Sequence, residues 1–243
     1  MSKNIIFMGT PEFSVPTLKI LAESAYSLEC VYTQPAKKSS RGYKINPSPV
    51  QVVSEELDLK IRTPKNLESQ IEYDFFKSIN PYIVVVVAYG QIIPKKYLTL
   101  PEKGFINIHA SLLPKWRGAA PIQRSIMNCD KETGISIMKI EEGLDTGPYM
   151  KQIKTPINAQ TNAKILSDKL SILGAESILE SLSLIKKNKA KFIKQENSKA
   201  TYAKKIKKTE SKLEWNNTAK NILSKINSLN PSPGAWFEFN KSR

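Results

Sequence analysis

The chain contains a single histidine, His109, in the run Asn107-Ile108-His109 at the end of an apolar stretch that begins near Phe105. Residues two apart on an extended strand project to the same side, so this spacing presents an amide and an imidazole together. Reacting groups in open α/β sheets gather beyond the carboxyl ends of strands, which is where this pair falls. A lone histidine at such a place can simply cap the strand through a hydrogen bond, so a third group decides between the two readings. The candidate is Asp145, in the loop Glu142-Gly143-Leu144-Asp145-Thr146-Gly147-Pro148 after an apolar stretch at 135–140. An aspartate between glycines is by itself a turn-former. If the two apolar stretches are neighbouring strands, however, its carboxylate reaches the imidazole, favours the protonated ring and fixes its tautomer.

Other chemistries lack their residues. The sequence has no GxSxG elbow and no GxxxxGK phosphate cradle, and Gly9-Thr10-Pro11-Glu12 does not follow GxGxxG. One histidine with Cys30 and Cys129, which are far apart, does not supply a tetrahedral zinc set. What remains is direct acyl-type transfer between two bound substrates. That reaction needs a donor for the tetrahedral oxyanion, a route for the amine proton and close placement of both reactants. An amide, an imidazole and a carboxylate meet those needs.

The elements that must position the trio can be read from hydropathy. Short apolar runs at 4–8, 28–32, 82–88, 105–108 and 135–140 read as strands, followed by 149–157. Helical spacing appears at 14–22, 67–79, 121–127 and 163–186, and again at 219–226, with a strand expected at 235–239 after the Pro-Gly turn at 230–234. Strands alternating with helices predict an α/β fold with a doubly wound, mainly parallel sheet, and the unbroken 83–87 run suits a central strand covered on both faces. The connection at 34–49 is longer than such units need, which points to function; it carries Lys37, Lys38, Arg41 and Lys44.

The run from Asn107 through His109-Ala110-Ser111-Leu112-Leu113-Pro114-Lys115-Trp116-Arg117-Gly118-Ala119-Ala120-Pro121-Ile122 closely resembles the signature of methionyl-tRNA formyltransferases, within the 10-formyltetrahydrofolate-dependent formyltransferases. Phe7-Met8-Gly9-Thr10-Pro11-Glu12-Phe13 and Gly143-Leu144-Asp145-Thr146-Gly147-Pro148 resemble the same family, in the same order. The resemblance implies a Rossmann-like catalytic domain at 1–188 in which Asn107, His109 and Asp145 are catalytic. It implies that Ser111, Leu112, Leu113 and Pro114 belong to the folate site, and that Arg41, Lys37, Lys38 and Lys44 contact the acceptor stem of the initiator tRNA. It further implies a linker at 189–207 and, at 208–243, only the truncated start of a C-terminal β-barrel that resembles an OB-fold.

Charge and composition fit these expectations. The formal net charge is +15, carried by 32 lysines and five arginines, and the stretch 186–212 holds eleven lysines against Glu196 and Glu210. Such a segment is read equally well as a solvated connector or as an RNA contact. The longest apolar run is far too short to span a bilayer, and the first residues lack a basic leader and a cleavage site, so a cytoplasmic protein is expected. The partners expected from the resemblance are 10-formyltetrahydrofolate as donor and methionyl initiator tRNA as acceptor, with no metal and no membrane, acting on a monomeric chain. A nucleotide-linked amino sugar or glycinamide ribonucleotide is the alternative acceptor, since related enzymes share Asn-x-His and Ser-Leu-Leu-Pro. An inactive basic RNA-binding remnant is the non-enzyme alternative.

Overall fold

The structure is a computed structural model that describes residues 3–38 and 45–240. The chain opens with β1 (Asn4–Gly9), α1 (Val15–Ala22) and β2 (Ser27–Tyr32), followed by a small hairpin of β3 (Lys37–Lys38) and β4 (Ile45–Asn46). Then come α2 (Pro49–Glu56), β5 (Ile61–Arg62), α3 (Gln70–Ser78), β6 (Ile83–Val87), α4 (Lys95–Leu98) and β7 (Phe105–His109). The second half runs through β8 (Arg117–Gly118), α5 (Pro121–Met127), β9 (Glu132–Lys139), β10 (Tyr149–Pro156), α6 (Ala163–Lys186), β11 (Tyr202–Ala203) and α7 (Ala219–Leu229).

Seven strands form the main sheet in the order β10-β9-β7-β6-β1-β2-β5. The pairs β5–β2, β2–β1, β1–β6 and β6–β7 are parallel, while β9 is antiparallel to both β7 and β10. The sheet is therefore mainly parallel and wound in both directions from β1. Alternation sorts its side chains into two cores. Ile5, Phe7, Ile83, Val85, Ile106 and Ile108 pack with α1 and α6 on one face. Ile6, Met8, Val84, Val86 and Phe105 pack on the other with Phe76 of α3 and Tyr97 of α4. The 24-residue α6, about 36 Å long by helical rise, can lie close against β7 because position 174 is glycine. A Cβ there would sit 2.7 Å from Ile108 Cγ2.

Two sequence expectations need correction. Helix α3 begins at Gln70 rather than near 67, and Leu67 is buried in the second core from a loop position. Residues 235–239 do not form a strand: Trp236 makes one isolated bridge, to Lys212, with Leu213 N–H donating to Trp236 O at 2.7 Å. Pro231, Pro233 and Gly234 (φ +82°) keep the preceding stretch in a turn, and the bridge to Lys212 is a single residue pair. Helix α2, absent from the hydropathy reading, starts where Ser48 Oγ accepts the Gln51 N–H at 3.0 Å and Pro49 takes the first helical position.

Candidate functional site

Strand β7 places Asn107 and His109 on one side, since Ile106 and Ile108 between and beside them fill the opposite core. The Asp145 loop reaches them by an indirect route. Strand β9 does neighbour β7, but it runs antiparallel, with His109 opposite Ser136 and Ile106 opposite Lys139. The loop therefore leaves beside the start of β7 and must travel back roughly 10 Å, about three residues of strand rise, to meet the histidine. It does so: Asp145 Oδ2 lies 3.7 Å from His109 Nδ1.

His109 is 6% exposed, and both edges of its ring face oxygen. Nε2 is 2.9 Å from the Trp116 carbonyl, which can only accept, so Nε2 carries a proton and the ring's orientation is fixed. Nδ1 faces Asp145 across a gap too long for a hydrogen bond. Asp145 adopts a left-handed backbone (φ 50°), and its Oδ2 accepts the Gly118 N–H at 2.8 Å. Position 118 must be glycine: its φ is +116°, and a Cβ would lie 2.9 Å from the Ala203 carbonyl. The half-buried Asn107 amide makes no hydrogen bond among the described residues, so both of its N–H donors are available to a ligand. The structure thus brings His109 and Asp145 together and places Asn107 beside His109 on the same strand face.

The segment Ser111 to Pro114 is largely committed to the protein itself. Ser111 is fully buried and its Oγ donates to Lys115 O at 2.5 Å. Ser136 Oγ donates to Ser111 O and accepts the Leu113 N–H, while Gln152 Nε2 donates to Leu113 O at 2.8 Å. Leu113 points into the core; Leu112 and Pro114 are half-buried and are the members with surface for a flat ligand. Of the basic loop, Lys37 and Lys38 form β3, whereas Arg41 and Lys44 lie outside the described residues. A cleft of about 510 Å³ lined by Leu98, Pro101, Gly104, Lys139, Ile185 and Phe192 lies at the start of β7, away from the trio.

Segment 189–207 is not a free connector. Ile193 pairs with Tyr149 at the edge strand β10, and β11 pairs in parallel with β8. Arg117, which the sequence left unassigned, is 2% exposed; it donates from Nε to Gln195 Oε1 and from Nη2 to Asn197 Oδ1, both at 2.9 Å. Gln195 Nε2 in turn donates to the carbonyls of Asp145 and Gly147, each at 2.7 Å. A second anchor joins Arg124 to Glu210 through two hydrogen bonds of 2.8 and 3.1 Å. That guanidinium holds the Glu210 carboxyl below its ordinary range. With Arg62 paired to Glu72, all three described arginines are engaged within the protein, so among the described residues the uncommitted basic side chains are lysines. Nothing local in the sequence marks Gln195 or Gly118 as site residues, because their partners are 27 to 85 positions away.

The sequence model of the family described as "Formyl transferase" matches residues 3–182, which include the whole trio. The chain belongs to the formyl transferase family. A second model, for the formyl transferase C-terminal domain, matches residues 205–243. Among similar formyl transferases, a "Methionyl-tRNA formyltransferase" of Pelagibacter ubique is 56% identical over all of this chain and 79% of the relative. One of the same description from Coxiella burnetii is 45% identical over 98% of this chain and 76% of the relative. Among solved structures, an N-formyltransferase of Helicobacter canadensis, in complex with folinic acid and dTDP-3-aminofucose, superposes with a TM-score of 0.74 at 20% identity. That superposition covers 99% of this chain and 85% of the other. At that identity the likeness establishes the shared formyl transferase fold.

Proposed function

We propose that this chain transfers the formyl group of 10-formyltetrahydrofolate to the amino group of methionyl initiator tRNA, and so serves translation initiation. The observation that carries the chemistry is the His109–Asp145 pair, 3.7 Å apart, beside an Asn107 amide with no hydrogen-bond partner among the described residues. The tRNA acceptor is supported by 56% identity along the whole chain to a relative of that name, against 20% for the sugar-associated enzyme.

In this reading the amine nitrogen attacks the formyl carbon and the carbonyl becomes an oxyanion. The Asn107 amide and the Nδ1 edge of protonated His109 donate to it, Nε2 being occupied by the Trp116 carbonyl. Asp145 balances the imidazolium and assists removal of the amine proton, directly or through water. The bond from the formyl carbon to the folate nitrogen then breaks, and that nitrogen takes up a proton. Leu112 and Pro114, the half-buried members of the Ser111–Pro114 segment, provide an apolar wall for the pterin. Lys37, Lys38, Arg41 and Lys44 contact the tRNA phosphates. No helix among the described residues is long and apolar enough to cross a membrane, and the reading places the chain in the cytoplasm.

Parallel assays with 10-formyltetrahydrofolate and three acceptors test the proposal. Methionyl initiator tRNA should be formylated in preference to a nucleotide-linked amino sugar and to glycinamide ribonucleotide. Product on the sugar or ribonucleotide alone contradicts it, as does tRNA retention with no formyl product.

A further inference from the structure

We propose that Gln195 is a positioning residue for the Asp145 carboxylate, so that segment 189–207 completes the active site of the preceding domain. The inference deepens the functional reading above and rests on it. Asp145 sits between Gly143 and Gly147 in a left-handed backbone conformation (φ 50°) that a non-glycine residue keeps only when its surroundings hold it. A loop of that composition needs external ties to hold one conformation.

The described residues supply two ties to Asp145. The Gly118 N–H holds Oδ2, and the Gln195 amide nitrogen spans the Asp145 and Gly147 carbonyls. The amide can sit only one way round, because a guanidinium can only donate and the two carbonyls can only accept. Its oxygen must face Arg117 Nε and its nitrogen must face the loop, as observed. Arg117 is itself buried and held by Asn197, and the flanking backbone is pinned by the Ile193–Tyr149 bridge and the β8–β11 pairing. Gln195 therefore transmits a fixed frame to the loop that carries the carboxylate.

The test compares Gln195→Glu, which keeps an acceptor for Arg117 but loses the donors to the loop, with Gln195→Met, which loses both. Glu210→Gln serves as a control that loosens the segment at its other anchor. Three quantities are read on the full chain: kcat and KM for formyl transfer to methionyl initiator tRNA, the thermal midpoint, and the ring ¹H–¹³C cross-peaks of His109. Those peaks are assigned by inspection, since the chain has one histidine. A displacement of about 1 Å at a reacting group can cost on the order of 100-fold. Both Gln195 variants should accordingly lose about ten- to a hundredfold in kcat with KM for the formyl donor little changed. Their His109 peaks should move toward those of Asp145→Asn, while Glu210→Gln keeps the wild-type peaks. Unmoved His109 peaks in folded Gln195 variants, or equal displacement in Glu210→Gln, overturn the proposal. If the wild-type chain makes no formyl product, the functional reading fails, and the His109 spectrum still decides whether Gln195 holds Asp145.

Discussion

Asp145 Oδ2 stands 3.7 Å from His109 Nδ1 and at the same time accepts the Gly118 N–H at 2.8 Å. One oxygen thus ties the β9–β10 loop to the backbone beyond β7 while facing the imidazole. Because Nε2 is held by the Trp116 carbonyl, the ring cannot turn this edge away without losing a buried hydrogen bond.

In the proposed mechanism Asn107 separates catalysis from stability. Its amide bonds to nothing among the described residues, so Asn107→Ala removes no hydrogen bond from the folded protein. Loss of one oxyanion donor costs about 100-fold or more in kcat. Formylation kinetics beside a thermal melt should show that loss with Tm within about 2 °C of wild type. A large fall in Tm with an intact kcat would remove Asn107 from the proposed role.

Gly118→Ala is expected to destabilise the chain by roughly 1–3 kcal/mol through its positive φ and the clash with the Ala203 carbonyl. The same change displaces β8 from β11 and with it the amide that holds Asp145. Urea unfolding should report the lower midpoint; unchanged stability would mean that the two segments separate freely.

Glu210 gives a pH signature. Its carboxyl, normally titrating at 4.5, is lowered in the fold chiefly by the hydrogen bonds from Arg124. Stability from the pair is therefore fully present above the unfolded value and is lost as pH falls through the lower folded value. Wild type should resist proteolysis between 204 and 210 better than Glu210→Gln at pH 7, and the difference should fade in acid below the ordinary carboxylate range. A difference that persists undiminished there would contradict the assignment.

The two thiols should differ sharply. Burial pushes the Cys30 thiol up to about 12, whereas Cys129 is half-buried with its sulfur 3.0 Å from Ser224 Oγ under α7. A thiol reagent at pH 8 should label Cys129 in the native chain and Cys30 only after denaturation. Equal labelling rates in the native protein would be inconsistent with this packing.

Much of the site was legible because its signals are periodic. The two-residue spacing of Asn107 and His109 between core isoleucines states a strand with a functional face, and the long apolar repeat of 163–186 states α6. The approach of Asp145 was legible only conditionally, since antiparallel β9 sends the loop away from His109 before it returns. Helix α2 buries only Val50 and Ser54, and β5 is two residues long; neither leaves a hydropathy period to read. The contacts of the lysine-rich segment were not legible, for a physical reason. Its charges are exposed, but what fixes it is backbone pairing and the neutral amides of Gln195 and Asn197, and neither shows as a pattern in sequence. Arg117 is likewise indistinguishable from a surface cation until its partners are seen.

The proposed chemistry is decided by formylation of methionyl initiator tRNA by 10-formyltetrahydrofolate, measured for wild type, His109→Ala and Asp145→Asn with folding checked by circular dichroism. Wild type should turn over, and both folded variants should lose about 100-fold or more. Near-normal turnover by folded His109→Ala would contradict that chemistry.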